Sequence, residues 1–241
     1  MRLLFGKLLR LEIGVEEENR RMIVQIGGLL NGDTVNGLRQ ALAQEPAGFR
    51  AGTATAGWYA KEVKNNEQAA GPIASKTISV VSDALNSHAM FRAVTRPKAL
   101  VGMLVSRYGP GMEYGSHVDN ALMNGMRTDL SFTVFLASLA DYDGGELVIE
   151  GNDGEQAVKL EAGSAVIYPS TSLHRVAKVT KGERLVVVGW VRSMVRSAEQ
   201  REVLFDLDQM IAGMREDQAQ RAVLGLLLKT KANLMRMWVE D

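Results

Sequence analysis

Residues 129–160 read DLSFTVFLASLADYDGGELVIEGNDGEQAVKL, and apolar runs alternate in them with turn-forming residues. DYDGG separates the first run from ELVIE, and GNDGE separates ELVIE from QAVKL. Short runs that are rich in Val, Ile and Phe and bounded by glycine are typical of β-strands. Asn152-Asp153-Gly154 is a strong signal for a hairpin turn. We therefore predict antiparallel strands in this segment.

The same alternation extends outward over residues 98–193. ALVGMLVSRY precedes the segment, and SAVIYP and RLVVVGWVRS follow it. Many short strands at this spacing favour an antiparallel sandwich or barrel. The chain is therefore expected to be mainly β, with its core at residues 98–193.

Helical patterns precede this core. After a short apolar strand, MIVQI, the period of apolar residues predicts a helix over Thr34–Gln44, capped by Asn31 or Asp33, with Val35, Leu38 and Leu42 on its apolar face. Residues 50–72 carry no helical period and are interpreted as a loop with a weak strand. A second helix is predicted over Ile73–Ala89.

Helical patterns also follow the core, after Ser197. The apolar residues form two stripes, which consist of Val203, Leu207, Met210 and Met214 and of Val223, Leu227, Leu234 and Trp238. Such stripes must be buried, either on the sheet or in a homo-oligomer. We divide the chain into an N-terminal extension (1–21), a support region of helices and strands (22–97), the β core (98–193) and a C-terminal helical segment (194–241).

The composition excludes several classes of function. Lys plus Arg and Asp plus Glu each total 28 of the 241 residues, so the net charge is zero and neither nucleic-acid nor membrane binding is expected. The chain has no cysteine, which excludes disulfides, thiolate zinc sites, iron–sulfur clusters and a cysteine nucleophile. This absence fits a cytoplasmic protein. With three histidines in total, any metal site must also use carboxylates.

The segment RYGPGMEYGSHVDNA, residues 107–121, carries the first chemical signal. His117 and Asp119 are two positions apart, and such residues point to the same side of an extended strand. Both can therefore bind one ion. The triplet alone is a weak signal, because a surface histidine beside a strand-end aspartate gives the same pattern.

Two residues further along the chain make the signal more specific. His174 lies in YPSTSLHRV, just after a predicted strand. Two histidines and one carboxylate form the facial triad of non-heme Fe(II) sites, which leaves coordination positions open for oxygen chemistry. Arg184 begins the apolar run RLVVVGWV, where an arginine is costly unless a planar anion pairs with it. A dicarboxylate co-substrate would supply that anion.

Five segments resemble the PKHD-type hydroxylases, a prolyl/lysyl hydroxylase-like group, and they read RYGPGMEYGSHVDNAL, RTDLSFTVFL, DYDGGELVI, YPSTSLHRVAKVTKGERL and WVRSMVRS. The resemblance begins at about Met22 and continues to the C-terminal helices. It implies a double-stranded β-helix, or jelly roll, that binds Fe(II) through His117, Asp119 and His174. It also implies that Arg184 binds the distal carboxylate of 2-oxoglutarate.

The resemblance further implies a reaction. Such an enzyme hydroxylates its substrate with O2 while 2-oxoglutarate is decarboxylated to succinate, and L-ascorbate serves as the reductant of iron. A link to bacterial iron homeostasis is also implied. The substrate stays open between a small molecule, such as a siderophore, and a protein side chain. The alternative is an iron- and 2-oxoglutarate-binding sensor with little turnover; a zinc hydrolase ranks lower, because it leaves Arg184 unexplained.

Several other residues have a functional and a structural interpretation. Tyr108 could donate a hydrogen bond to 2-oxoglutarate or be an ordinary buried tyrosine with a backbone partner. Residues 121–129 could form a mobile lid or an exposed loop, within which Arg127 binds the substrate or pairs with an aspartate. Asn65 and Asn66 could line the substrate groove or belong to a turn.

Residues 1–21 are interpreted as an extension that arose in gene calling. Charged residues interrupt their apolar run, so they do not form a signal peptide. The codons of Glu16–Glu18 can resemble a ribosome-binding site, and Met22 follows closely. We therefore expect intact-mass analysis of the protein from its own host to give a chain that begins at Met22; a native mass that includes the preceding residues would contradict this.

Overall fold

The structure, a computed structural model, describes residues 23–44, 48–55, 58–151, 154–215 and 221–240, in two compact units. The first unit (residues 23–193) contains the helices α1 (Gly32–Gln44), α2 (Trp58–Val63), α3 (Pro72–Ser87) and α4 (Ala89–Thr95). Its strands are β1 (Val24–Ile26), β2 (Phe49–Ala51), β3 (Lys64–Asn65), β4 (Glu67–Ala69), β5 (Pro97–Tyr108), β6 (Glu113–His117), β7 (Leu122–Met123), β8 (Met126–Arg127), β9 (Leu130–Phe135), β10 (Tyr142–Gly144), β11 (Leu147–Gly151), β12 (Gly154–Val158), β13 (Ala165–Pro169), β14 (His174–Val176), β15 (Val179–Gly182) and β16 (Arg184–Ser193). The second unit (residues 194–240) contains α5 (Ala198–Met214) and α6 (Arg221–Trp238).

Two antiparallel sheets organise the first unit. The larger sheet has the strand order β1-β13-β9-β16-β5-β4-β2, and the smaller sheet has the order β12-β11-β14-β6-β3. β10 pairs with β15 and β7 with β8 in separate two-stranded ribbons. This architecture, with its accompanying helices, confirms the predicted mainly-β jelly-roll fold.

The inner faces of the two sheets meet in an apolar layer. Phe135 and Val186 of the larger sheet pack there with Leu147 of the smaller sheet. Because alternate side chains of a strand point to opposite faces, Leu185 and Val187 of β16 belong to a second apolar cluster. Both faces of β16 are covered by apolar groups, and this explains why its sequence is a continuous apolar run.

Helices supply the partners of that second cluster. α1 buries Val35, Leu38 and Leu42, as predicted, and each buried side chain of this size stabilises the fold by about 1.5–3 kcal/mol. Phe91 of α4 meets Phe132 of β9 edge to face, with ring centroids 6.1 Å apart. The helices of the support region thus cover the outer face of the larger sheet.

Two predictions in the support region were wrong in detail. Residues 50–72, interpreted as a loop with a weak strand, contain α2, β3, β4 and most of β2, which are too short to show a period. The helix predicted over Ile73–Ala89 is α3, which ends two residues earlier than predicted, and a separate helix that was not predicted, α4, begins at Ala89. The extended backbone of His88 ends α3, and its ring Nδ1 accepts the N–H of Phe91 at 3.5 Å to begin α4.

The C-terminal unit pairs α5 with α6. The guanidinium of Arg201 donates hydrogen bonds to the carbonyl oxygens of Val195 and Arg196, at 2.8 and 2.7 Å. The buried side chains of α5 are those of Arg201, Leu204, Phe205, Leu207 and Ile211. Val203 and Met210, which were predicted to share the buried face, are exposed, so that prediction was wrong.

The other predicted stripe is only partly shielded within the described residues of α6. Leu227, Leu234 and Trp238 are half-buried, whereas Val223 is exposed. None of the described helices combines the length and the apolar character that crossing a membrane requires.

A cap defines the start of α1 and can be tested. The side-chain oxygen of Asn31 accepts the N–H of Thr34 at 2.8 Å, whereas Asp33 lies inside the first turn. We expect Asn31→Ala to lower the free energy of unfolding by about 1 kcal/mol, the usual loss of a cap. Asp33→Ala, which removes only a charge near the helix N-terminus, should cost less, about 0.5 kcal/mol. Urea titrations measure both; a larger loss at Asp33 would contradict the assignment.

Candidate metal centre and its cavity

The antiparallel pairing of β6 with β14 brings two histidines together. His117, the last residue of β6, is the register partner of His174, the first residue of β14. The carboxylate of Asp119 lies 4.0 Å from Nε2 of His117 and 3.7 Å from Nε2 of His174. Potential ligand atoms of all three lie within 4.8 Å of one another. These three side chains could therefore hold one metal ion.

Backbone carbonyl groups orient both imidazole rings. Nδ1 of His117 lies 2.8 Å from the carbonyl oxygen of Gly115, and Nδ1 of His174 lies 3.1 Å from that of Ser172. With the proton on Nδ1, each ring donates to its carbonyl and directs the lone pair of Nε2 at an ion. Burial and, next, the neighbouring His174 lower the pKa of His117 to about 4. The ring of His117 is therefore neutral at physiological pH, as metal binding requires.

Two buried serines position the carboxylate of Asp119. Oγ of Ser131 donates a hydrogen bond to Oδ2 of Asp119 at 2.6 Å, and it lies 2.8 Å from Oγ of Ser170. Contacts of this kind orient a metal ligand and tune its affinity. Neither serine was predicted from the sequence. A polar residue within the apolar strand LSFTVF is unusual, but Thr133 in the same strand is equally so, and the pattern therefore did not single out Ser131.

Arg184 is the largest of the fully buried side chains, with 1% of its surface exposed. Its Nε and Nη1 have no hydrogen-bond partner among the described residues. Burying a charge without a partner costs several kcal/mol, so this position favours an anion that is not part of the chain. The planar guanidinium matches a carboxylate in geometry. This finding agrees with the predicted dicarboxylate.

Two tyrosines and a glycine surround Arg184. Its Cζ lies 5.1 Å from the ring centroid of Tyr108, which is its register partner on β5. The buried hydroxyl of Tyr142 also has no hydrogen-bond partner in the described part of the chain. Gly145, at φ 68°, leaves room for the arginine, because a Cβ there would lie 3.1 Å from Cδ of Arg184. Burial raises the pKa of Tyr108, so its phenol stays protonated and can donate to an anion.

One cavity of about 770 Å³, counted with the part open to solvent, joins Arg184 to the three candidate ligands. Its lining includes apolar groups such as Trp190 and two polar side chains, Lys64 and Asn66. Burial lowers the pKa of Lys64 to about 8, and Asp119 opposes the fall. Among the described lining residues, Asp119 is the only carboxylate. A zinc hydrolase, which needs a further acidic group as base, therefore gains no support.

Tyr114 and the two asparagines, Asn65 and Asn66, differ in their positions relative to the candidate centre. Tyr114 packs on His117 with parallel rings 3.6 Å apart and thus forms a wall of the centre. Asn66 lines the cavity, whereas Nδ2 of Asn65 contacts the carbonyl oxygen of Gly111 at 3.5 Å. The structure thus separates the two asparagines that the sequence treated alike.

Residues 121–129 contain the hairpin of β7 and β8. Two residues of positive φ form its turn, which is the geometry of a tight two-residue hairpin. Nε of Arg127 donates to Oδ1 of Asp129 at 2.7 Å, the structural one of the two roles predicted for this arginine. Met123 lines the cavity. Movement of the hairpin as a lid stays a prediction.

Two parts of the chain match known family models. A model of the 2OG-Fe(II) oxygenase superfamily matches residues 103–192, and a model of the PKHD-type hydroxylase C-terminal domain matches residues 199–240. The chain is 50% identical over 221 residues to a PKHD-type hydroxylase of Maricaulis maris, which covers 91% of this chain and 100% of the relative. It is 55% identical over 196 residues to one of Picosynechococcus sp., which covers 80% and 90%. The chain belongs to the PKHD-type hydroxylases and is a 2-oxoglutarate-dependent dioxygenase.

Solved structures agree on the fold. A Pseudomonas putida prolyl-4-hydroxylase superposes with a TM-score of 0.52 at 21% identity, over 71% of this chain and 92% of that chain. A Trichoplax adhaerens prolyl hydroxylase, solved with a peptide fragment, gives a TM-score of 0.56 at 13% identity, over 76% and 87%. At this identity the similarity concerns the fold alone.

The contact of Ser131 with Asp119 yields a prediction about metal affinity. Ser131→Ala leaves the carboxylate free to rotate, so we expect Mn(II), used in place of iron, to bind about 10–100-fold more weakly by calorimetry. Ser170→Ala, which removes a neighbour of Ser131, should have a smaller effect. Unchanged affinity in Ser131→Ala would show that this hydrogen bond does not position the carboxylate.

Proposed function

We propose that this enzyme hydroxylates a small molecule or a protein side chain with Fe(II) held by His117, Asp119 and His174 and 2-oxoglutarate held by Arg184. One observation carries the proposal: a buried guanidinium with unsatisfied donors shares a cavity with three converging metal ligands. When bound, iron and 2-oxoglutarate supply the oxidative chemistry, in which O2 is consumed and succinate and CO2 are formed.

The metal ligands determine which side of the ion stays open. Two imidazoles and one carboxylate would hold Fe(II) from one side, and the other side of the ion would stay accessible to 2-oxoglutarate and O2. Ser131 and the two backbone carbonyls hold these ligands in place before any ion binds. The protein thereby provides a fixed ligand set with little reorganisation.

Arg184 and Tyr108 orient the co-substrate. The guanidinium pairs with the distal carboxylate of 2-oxoglutarate, and the phenol of Tyr108 donates to the same group. Holding the far end removes rotational freedom and presents the oxo-acid end to the ion. The hydroxyl of Tyr142, which is buried near Arg184, also lacks a hydrogen-bond partner among the described residues.

Burial keeps bulk water away from the centre. The side chains of His117, Asp119 and His174 are 5%, 8% and 5% exposed. Tyr114 covers one face of His117, and Tyr168 approaches His174 edge-on with ring centroids 5.1 Å apart. These aromatic walls restrict access to the open side of the ion, so that oxidation is directed at a bound substrate.

The proposal includes three further features. The resemblance implies the first two, and exposed apolar side chains support the third. L-ascorbate serves as the reductant of the iron, and the reaction is linked to bacterial iron homeostasis. Self-association through the C-terminal helices is supported by exposed apolar side chains of α6 such as Val223 and Leu226.

The alternative function, a sensor that binds iron and 2-oxoglutarate with little turnover, uses the same residues and differs only in product formation.

Two variants test the proposed binding sites. Under anaerobic conditions, Fe(II) and 2-oxoglutarate should give a weak charge-transfer band, and admission of O2 with ascorbate should release succinate. His174→Ala should abolish both signals. Arg184→Met should weaken 2-oxoglutarate binding by about 10–150-fold, which corresponds to the loss of a charge-assisted contact of about 1.5–3 kcal/mol.

Controls separate these effects from general damage. Arg192→Met changes an arginine of the same strand outside the cavity and should leave 2-oxoglutarate affinity unchanged. If Arg184→Met binds 2-oxoglutarate as the parent does, the assignment of the anchor is wrong. Binding of both ligands without succinate release, in the presence of candidate substrates, would support the sensor.

A further inference from the structure

Three polar side chains form a row across the larger sheet, on the wall of the cavity. Arg184 of β16 is the register partner of Tyr108 of β5. On the other side of β5, Glu67 of β4 pairs with Arg107. Continued by one residue, this antiparallel register sets Asn66, which directly precedes β4, opposite Tyr108. Side chains opposite each other on adjacent strands lie on the same face, with Cβ atoms about 5 Å apart. Arg184, Tyr108 and Asn66 all line the cavity.

The amide of Asn66 is buried and unsatisfied. The residue is 4% exposed, and neither Nδ2 nor Oδ1 has a hydrogen-bond partner among the described residues. A buried polar group that has lost its hydrogen bonds to water destabilises the fold, so a ligand that replaces those bonds binds favourably. Neither the metal ion nor the pairing of Arg184 with a carboxylate accounts for this amide.

Gly52 determines the direction of the Asn66 side chain. The N–H of Gly52 donates to the backbone carbonyl oxygen of Asn66 at 2.8 Å. A Cβ on Gly52 would overlap with Oδ1 of Asn66, which is the side-chain atom nearest to that position. Oδ1 therefore lies over Gly52, and Nδ2 is directed away from it, to the side on which Tyr108 lies.

The phenol of Tyr108 lies between two nitrogen donors. Burial raises the pKa of Tyr108, and Arg184 and then the amide of Asn66 partly oppose this rise. An N–H near a phenol oxygen lowers the pKa in this way because it stabilises the phenolate. Nε and Nη1 of Arg184 also lack a hydrogen-bond partner among the described residues. A carboxylate accepts about four hydrogen bonds through its two oxygens, so one such group can satisfy all three side chains.

We propose that Nδ2 of Asn66 donates a hydrogen bond to the distal carboxylate of 2-oxoglutarate, as a third donor beside Arg184 and Tyr108. The guanidinium supplies the positive charge and two N–H groups, and the phenol and the amide supply one donor each. The inference rests on the proposed function, in which Arg184 binds the same carboxylate. It makes Asn66 a residue that favours an oxo acid with a distal carboxylate over the same chain without one.

Two acids of the same chain length test this contact. 2-Oxoglutarate and 2-oxopentanoate share the oxo-acid end, but only 2-oxoglutarate has a distal carboxylate. Each acid is titrated into the protein loaded with Mn(II), which is used in place of iron. Binding is followed by the relaxation rate of the water protons, which falls when an acid displaces water from Mn(II). The parent protein should bind 2-oxoglutarate more tightly than 2-oxopentanoate.

Matched variants isolate the contribution of Asn66. Asn66→Leu keeps the size of the side chain but removes the donor. It should weaken 2-oxoglutarate binding about tenfold and leave 2-oxopentanoate unchanged, since one charge-assisted contact is lost. Asn66→Asp, which sets a second carboxylate beside the first, should weaken 2-oxoglutarate binding further. Asn65→Leu is the control, because Asn65 contacts the carbonyl oxygen of Gly111 and does not line the cavity. Asn66→Ala repeats the measurement if Asn66→Leu does not fold.

The outcomes distinguish the inference from the function on which it rests. If Asn66→Leu binds 2-oxoglutarate as the parent does, or weakens both acids alike, the inference is overturned while Arg184 keeps its role. An equal loss in Asn65→Leu, or a smaller loss in Asn66→Asp than in Asn66→Leu, also overturns it. If the parent binds both acids equally, or Arg184→Met retains the preference for 2-oxoglutarate, the proposed anchor is wrong and the inference fails with it.

Discussion

The register between β6 and β14 is the constraint on which the candidate centre depends. It sets His117 opposite His174, and a slip by one residue would turn one of the rings to the other face of the sheet. The neighbouring strand stabilises this register, because Leu147 and Ile149 of β11 pair with Val176 and His174. Leu147 and Ile149 are buried between the sheets. The apolar core thus fixes the strand register that brings together two histidines far apart in the sequence. The same packing that stabilises the sheet therefore also positions the candidate metal ligands.

The same cavity concentrates groups that are poorly satisfied without ligands. Arg184 and Asn66, which line the cavity, and Tyr142, which lies beside Arg184, have buried polar atoms without hydrogen-bond partners among the described residues. Each such atom destabilises the unliganded fold, and a ligand that satisfies it binds the folded state selectively. The apolar layers on both sides of β16 offset this destabilisation. Burial of apolar side chains therefore compensates for the unsatisfied polar groups, and these groups remain available to bind anions.

The sequence was sufficient to predict the β core because its runs and turns are local signals. The helix that buries Val35, Leu38 and Leu42 was predicted for the same reason, whereas β3 and β4 are too short to show any period. The three converging ligands and the burial of Arg184 could be predicted because their residue types are unusual for their surroundings. Ser131, Gly145 and the inward direction of Lys64 could not, since they depend on contacts between strands distant in the chain. The stripe predicted on α5 was wrong at Val203 and Met210, because Leu204 and Ile211 fit the helical period as well, and only packing shows that these two are buried.

Electrostatic attraction determines the order in which the ion and 2-oxoglutarate bind most favourably at the proposed site. The lining of the unliganded cavity includes one carboxylate, Asp119, and two cations, Lys64 and Arg184, with His117 neutral. A divalent ion increases the positive charge of this enclosed space and therefore strengthens its attraction for a dianion such as 2-oxoglutarate. The dianion removes most of that excess. Because coupling between ligands is reciprocal, 2-oxoglutarate also tightens the binding of the ion. The ion and 2-oxoglutarate therefore stabilise each other's binding, because their charges balance within one cavity. The cavity with both ligands bound is favoured over the cavity with only one.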